Sequence, residues 1–572
     1  MGLFGPGANN RRLAMTIRNR LHISTLMLGT FAGAALMPAC AAADDAQTER
    51  MQRQIDALQR QLQSLQKQVS DSKKASREAT AAQAAQVPAA PGGTHAQAGG
   101  SQPPLKAPMA LPAGVKMTWG GFLAAEGVYR QHNTVSDIGT PFASIPYPFS
   151  PQYSEPEFRG SARQSRISLL VEGALDPAQK LAGYYEMDFL GVGVTSNYNQ
   201  SNSWAPRLRQ GYLAYDNSDW GFHLLAGQSW SLLTQNTVGI TPRKENIPLT
   251  IDANYVAGFD YTRNWEIRAV KDFGPSVSLG LSIENPASEV YASSGAIANG
   301  GSLNGLIVNW ANAGSSFLGS GAFVNPFNTE TAPDVIGKAA FDPGWGHYEV
   351  FGLARFFTDS VFTCSPALVP ATGVCPTTTA NVGNARSHVT VGEGIGGSVL
   401  LPIISNVLDR QGSVLYGRGI GRYGASQLSD VVVGSDGTLS PITALHAMVG
   451  AVAHPWAGLD IYSYAGMERA NANFFNTAAG LTGFGVPTLS NAGCGIVTGA
   501  SFTGGASGCA AVNKEVDMAT IGFWQNIYKG DYGRLATGLQ YEYIKRKSFD
   551  GVPGPVSTSD NVILSSLRYY PF

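Results

Sequence analysis

The sequence predicts an all-β fold: a transmembrane antiparallel β-barrel of about 16 strands, preceded by a short N-terminal α-helical coiled coil. Three observations predict it. From Lys116 onward, apolar and polar residues alternate with period two in segments near ten residues or longer. Short turns such as Asn217-Ser218 and Lys529-Gly530 alternate with very long loops rich in Gly, Ser, Thr and Ala. No apolar run approaches the roughly 18 residues of a membrane-spanning helix, while only 14% of residues are charged and Gly, Phe and Tyr number 68, 25 and 22. A soluble β-sandwich also alternates, but long strands, the asymmetry of turns and loops, and a chain that stops on a strand favour the barrel. With 39 Lys and Arg against 40 Asp and Glu, bulk charge points to neither a nucleic-acid partner nor an acidic surface. Selectivity must then come from how charge is arranged.

Residues 1–43 read as an export signal. Arg11, Arg12, Arg18 and Arg20 precede a short apolar stretch at 23–37, and Ala41-Ala42-Ala43 offers a cleavage site before Asp44. Met15 is an alternative start, and Cys40 lies in a poor lipidation context. Residues 44–71 form a coiled-coil oligomerisation segment. Ile55, Leu62 and Val69 occupy a positions and Met51, Leu58 and Leu65 d positions. So short a helix is marginal alone, and association buries its seam. Residues 72–115, rich in Ala, Pro, Gly and Gln, form a linker.

Residues 116–572 supply the barrel. The candidate strands are 116–130, 161–175, 179–190, 205–216, 220–230, 254–270, 275–285, 333–342, 346–357, 388–401, 411–423, 442–455, 457–470, 516–528, 531–547 and 559–572. The clearest alternation sets Val277, Leu279, Leu281 and Ile283 against Ser278, Gly280, Ser282 and Glu284. An even number places both ends in the periplasm and the long loops (140–160, 286–332, 358–387, 424–440 and 471–515) outside the cell. Closure satisfies the backbone in lipid. Phe572 with Tyr570 matches the terminal aromatic pattern read by the barrel assembly machinery, although Arg568 and Pro571 depart from the usual alternation.

Two cysteine pairs, Cys364 with Cys375 and Cys494 with Cys509, lie in loop-like segments and are disulfide candidates. Neither CxxC spacing nor a nearby His pair suggests a metal. No cofactor is expected.

A channel needs a polar lumen and charge at a constriction. Arg159, Arg163 and Arg166 stand at the start of the second strand, and Arg207 and Arg209 share a face of the fourth. Facing lipid, each would cost about 2–4 kcal/mol near the midplane, so they belong in the lumen or at its mouth. Glu172, Glu186 and Asp188 lie on the polar faces of strands two and three, where arginines opposite them would set a transverse field. The loop at 231–253, with Arg243, Lys244 and Glu245 between Pro242 and Pro248, is expected to fold inward and narrow the lumen. Tyr184, Tyr185 and Trp204 belong either to the path or to the aromatic girdles.

The segments WGGFLAAEGVYR, SARQSRISLLVEG and APRLRQGYLAYDNSDWGFHLLAGQSWSLLT, with the coiled coil, linker and terminal Phe, resemble the DcaP-like family of outer-membrane porins. The resemblance implies a sixteen-stranded homotrimer promoted by the coiled coil, and a preference for anionic solutes such as dicarboxylates. By that similarity Arg163, Arg166, Arg207 and Arg209 match arginine-rich family segments. Arg243 and Lys244 are placed only by loop position. The expectation is a porin in the cell outer membrane, among lipid and lipopolysaccharide, with its coiled coil in the periplasm. A porin for phosphate or sugars and a barrel enzyme or adhesin are the alternatives. No P-loop, HExxH or GxSxG is present, so no enzyme is expected. Two GxGxxG matches, at Gly392/Gly394/Gly397 and Gly419/Gly421/Gly424, are read as glycines of barrel strands.

Overall fold

The computed structural model describes residues 109–110, 114–191, 203–291, 302–303, 306–309, 330–364, 382–434, 438–477, 480–497 and 509–571. The expected signal, the coiled coil, most of the linker, Cys375 and Phe572 lie outside the described residues.

The wall runs in chain order. Its first half is β1 (Lys116–Arg130), β2 (two segments, Glu157–Ser161 and Arg166–Ala174), β3 (Gln179–Asp188), β4 (Arg207–Asn217), β5 (Phe222–Trp230), β6 (Arg263–Asp272), β7 (Val277–Glu284) and β8 (Asp334–Phe341). The second half is β9 (His347–Cys364), β10 (Val382–Ile404), β11 (Leu408–Arg418), β12 (Thr443–Trp456), β13 (Leu459–Ala470), β14 (Asn513–Gly530), β15 (Gly533–Ser548) and β16 (Ser557–Tyr570). Each strand pairs antiparallel with the next. β16 returns to β1, from Leu123 opposite Tyr569 to Arg130 opposite Val562, and closes the 16-stranded barrel. Closure leaves no free edge to be solvated, which lipid requires.

The alternation sorts side chains between two environments. On β16, Ile563, Leu567 and Tyr569 are exposed, while Asp560, Val562, Leu564, Ser566, Arg568 and Tyr570 are buried. On β7, Leu279 and Leu281 point out and Ser282 and Glu284 point in. The outer surface is therefore a greasy band carrying Leu213, Ile395, Val449 and Ile521. Charged and polar side chains turn inward. This is the reverse of a soluble protein, and it fits a wall bathed in hydrocarbon.

The structure corrects several boundaries. Residues 254–262 are not strand: Tyr255 and Gly258 take φ of 67° and 81°, which breaks an extended path, and β6 begins at Arg263. The expected strand 411–423 ends at Arg418 and turns through Gly421–Tyr423, so Gly419, Gly421 and Gly424 lie in a loop. Gly392, Gly394 and Gly397 do lie in β10. β9 and β10 run to Cys364 and from Val382, well into the expected loop at 358–387. The expected loop at 471–515 holds a hairpin, Asn473–Thr477 with Gly480–Phe484, and a Cys494–Cys509 disulfide. Tyr570 faces inward beside Arg568, so Arg568 keeps the alternation after all.

Candidate pore constriction

Residues 231–262 form a loop, L3, that lies inside the barrel. A loop buried against a wall must find partners for its peptide groups, and the inward face of the barrel provides them. The Trp524 indole N–H donates to the Leu249 carbonyl at 2.7 Å, and the Leu249 N–H donates to the Tyr464 hydroxyl at 3.1 Å. Gln164 Nε2 donates to the Ile251 carbonyl at 2.6 Å. Asn246 Nδ2 reaches Gln411 at 2.7 Å, the Asn236 N–H reaches Glu349 at 2.9 Å, and Lys338 Nζ donates to the Thr234 carbonyl at 2.8 Å. One loop is thus tied to β8, β9, β11, β13 and β14, and to the break in β2. Its backbone presses flat against β12 and β13 at two glycines. A Cβ on Gly258 would overlap the Ala447 carbonyl, and one on Gly466 would overlap the carbonyl of Ala257. Apolar side chains of L3, among them Ile247, Leu249, Ile251, Val256 and Phe259, are buried in the main core.

Five of the residues singled out in the sequence come together beside this loop. Arg207 holds Asp188 with two hydrogen bonds, at 3.0 and 2.8 Å. Arg209 holds Glu186 at 2.6 Å and Asp188 at 3.0 Å. Arg166 is buried next to them, its guanidinium 5.2 Å from the Phe122 ring. Because Glu186 and Asp188 lie on β3 and the two arginines on β4, these charges pair along one wall. They do not face one another across the lumen, as a transverse field would need.

The remaining candidates lie elsewhere. Arg163 sits at the break in β2, bonded to Asp137 at 2.7 Å, with its guanidinium 3.6 Å above the Trp204 ring. Arg243 reaches from L3 to the β3 wall, 5.6 Å from the Tyr184 ring. The Lys244 side chain is exposed and joins neither group. Tyr184 faces inward, donating to Glu186, and Tyr185 faces out. Glu172 pairs with Lys180 at the opposite end of the strand pair.

Sequence reasoning missed Arg263 and Tyr255. The Arg263 guanidinium lies 4.8 Å from the Trp230 ring, and that of Arg209 lies 5.9 Å from the same ring. Tyr255 is buried 6.1 Å from Trp230 and 5.1 Å from Tyr261. Burial pushes the Tyr255 phenol up, and Arg209, Arg263 and Arg166 together more than offset it, holding the group below its ordinary range. Four guanidiniums (Arg166, Arg207, Arg209, Arg263) thus meet two carboxylates, an excess of two positive charges. Several of their N–H groups have no acceptor within the protein: Nε and Nη1 of Arg166, Nη2 of Arg209 and Nη1 of Arg263.

The cluster stands where space narrows. A cavity of 1960 Å³ is lined by Asp137, Arg159, Arg163, Trp204, Arg207, Tyr261 and Arg263, among others. It meets a second cavity of 10 Å³ lined by Arg166, Arg209, Asp252, Tyr255 and Arg568; Leu190 and Ala253 border both. The smaller space holds about one water molecule. Glu289, on the wider cavity, is pushed up to about 7 by burial, with Asp430 adding to the shift and Arg422 and Arg355 opposing it. Near neutral pH it is about half protonated.

The fold resembles the outer membrane channel DcaP of Acinetobacter baumannii. The two share 17% sequence identity over 81% of this chain and 100% of that one, with a TM-score of 0.53. The sequence resemblance to DcaP-like porins is therefore matched at the level of fold. An anion-selective porin from Comamonas acidovorans overlaps 80% of this chain and 99% of its own at 10% identity, TM-score 0.42. OprB of Pseudomonas putida overlaps 79% and 94% at 11% identity, TM-score 0.39. No family model matches the sequence, and no curated protein matches it.

Proposed function

We propose that the protein is an outer-membrane porin through which small anionic solutes, dicarboxylates among them, diffuse passively. One observation carries the reading: at the narrowing beside L3, four guanidiniums meet two carboxylates and leave buried N–H groups without acceptors in the protein. A buried cationic donor lacking an acceptor is costly. A passing carboxylate relieves that cost, and a passing cation meets repulsion. The greasy exterior supports placement in an outer membrane, among lipid and lipopolysaccharide. The work is that of a channel, and it calls for no cofactor. Arg163, Arg207 and Arg243 would guide solute toward the narrowing, and Glu186 and Asp188 would hold the arginines in place.

Reversal potentials across a planar bilayer under a KCl gradient test this reading. The expected sign is that of a membrane more permeable to chloride; the sign of cation selectivity would refute the proposal.

The reading includes a homotrimer whose subunits are gathered by the periplasmic coiled coil, and recognition of Phe572 by the barrel assembly machinery. Deleting residues 44–71 is expected to weaken the trimer without abolishing it, because barrel walls also meet. The mass in detergent should shift partly toward monomer on dilution. A mass of one subunit in the intact protein would remove the trimer.

A further inference from the structure

We propose that the outward face of β13, β14 and β15, at their extracellular end, binds the phosphate groups of lipopolysaccharide, with Arg469, Lys545 and Lys547 as its cations and Tyr541 and Tyr543 beneath them against the lipid. The inference rests on the outer-membrane placement above and is independent of which ions the pore prefers.

Strand register builds the face. β13 and β14 set Arg469 opposite Glu515 and Met467 opposite Asp517, and β14 and β15 set Glu515 opposite Lys547 and Asp517 opposite Lys545. The next rungs pair Ala519 with Tyr543, Ile521 with Tyr541 and Phe523 with Leu539. All these side chains point outward, because the residues alternating with them, among them Glu468, Val516, Met518, Glu542 and Ile544, are buried inside. From the membrane outward, the face passes from Leu539 and Ile521 through two exposed tyrosines to two charged rungs, the first about 7 Å beyond Tyr543 along the strand. The long connection at 471–512 leaves from this end, and the tight turn Asp531-Tyr532 marks the other. A charge facing hydrocarbon is costly. The two rungs therefore stand at the level of the lipid headgroups, just beyond the aromatic girdle.

The charges on these rungs are held in place and do not cancel. Lys547 Nζ lies 2.5 Å from Glu515 and 2.6 Å from Asp517, and Arg469 lies 3.8 Å from Glu515. Lys545 makes no ion pair among the described residues. Three cations against two carboxylates leave one positive charge. The carboxylates fix Arg469 and Lys547 in a row, so less side-chain freedom remains to be lost when a phosphate arrives. Another charged pair on the outer face, Glu393 of β10 directly opposite Arg418 of β11, is matched one for one and offers no such excess. The rungs below decide the source of the phosphate. A free phosphate ion would use the charged rungs alone, whereas a lipid that carries phosphate on a sugar headgroup also covers Tyr541, Tyr543, Ile521 and Leu539 with its sugar and acyl chains.

The measurement is native mass spectrometry of the full-length protein in detergent, titrated with lipid A carrying both phosphates, with phosphate-free lipid A, and with phosphatidylglycerol. Diphosphorylated lipid A should bind wild type most tightly. Arg469→Gln, Lys545→Gln and Lys547→Gln combined should weaken that binding by about tenfold or more. Arg418→Gln removes a cation elsewhere on the outer face and should bind as wild type does. An unchanged affinity in the triple variant, an equal loss in Arg418→Gln, or equal binding of either of the other two lipids to wild type overturns the inference. All three substituted residues face away from the lumen, so the triple variant should keep the wild-type reversal potential under a KCl gradient. A cation-selective wild type would refute the channel reading and leave this site standing. If the triple variant does not assemble, Lys545→Gln alone breaks no ion pair and should weaken lipid A binding about three- to fivefold; no loss there is equally fatal.

Discussion

Arg209→Ala is expected to weaken the anion preference of the pore and to destabilise the barrel by about 3–5 kcal/mol, the usual cost of stranding a buried charge. The magnitude follows from what Arg209 holds. Its guanidinium is the ion-pair partner of Glu186 and the second partner of Asp188, and these three side chains are between 0% and 2% exposed. Removing the cation leaves Glu186 buried without an ion-pair partner and leaves Asp188 with Arg207 alone. It also lowers the local excess from two positive charges to one. Urea midpoints in detergent should fall, and the chloride-to-potassium permeability ratio should move toward unity. Arg163→Ala supplies the contrast. Its pair with Asp137 is partly exposed, at 14% and 23%, so Asp137 is left with access to water and the loss should cost less, about 1–2 kcal/mol. Equal effects from the two substitutions would deny Arg209 its special place. The result also separates two roles that geometry joins, since stability reports the ion pairs and permeability reports the unpartnered donors.

Much of this wall is written in a two-residue period. β1 begins and ends at Lys116 and Arg130, as the alternation requires, because each residue there has one solvent on one face and another opposite. Arg166, Arg207, Arg209, Glu186 and Asp188 were legible for the same reason: a charge on an alternating strand has only one tolerable side. L3 was legible only in part. Residues 254–262 imitate a strand because Tyr255, Val256, Phe259 and Tyr261 are apolar or aromatic. Their burial comes from packing inside the barrel, where no period applies. Arg263 was hidden by that misreading and by its parity, since it falls in step with the outward Trp265 and Ile267 and out of step with the inward Glu266 and Arg268. Tyr255 left no trace in the pattern. What makes it matter is a single positive φ and three arginines distant in the chain or reached across the loop, and neither is a property of the local sequence.

Loosening L3 should enlarge and destabilise the conducting state without dismantling the wall. The double variant Trp524→Phe and Gln164→Leu removes the indole bond to the Leu249 carbonyl and the Gln164 amide that donates to the Ile251 carbonyl. At about 1 kcal/mol for each net hydrogen bond, the pair is worth about 2 kcal/mol, a roughly 30-fold rise in the fraction of time the loop is displaced. The wall itself should survive, because one change is a side chain of β14 and the other lies at the break in β2, and the backbone pairing of both strands is unaltered. Single-channel records should therefore show a quiet main level in wild type and frequent excursions to higher conductance in the variant. Tyr464→Phe tests the same loop from β13 by taking away the acceptor of the Leu249 N–H. It should act in the same direction and less than additively, since Leu249 is bound by both sites and can be released only once. A variant with wild-type conductance and noise would mean that glycine-mediated packing against β12 and β13 is enough to hold L3, and that its hydrogen bonds satisfy the backbone without fixing the aperture.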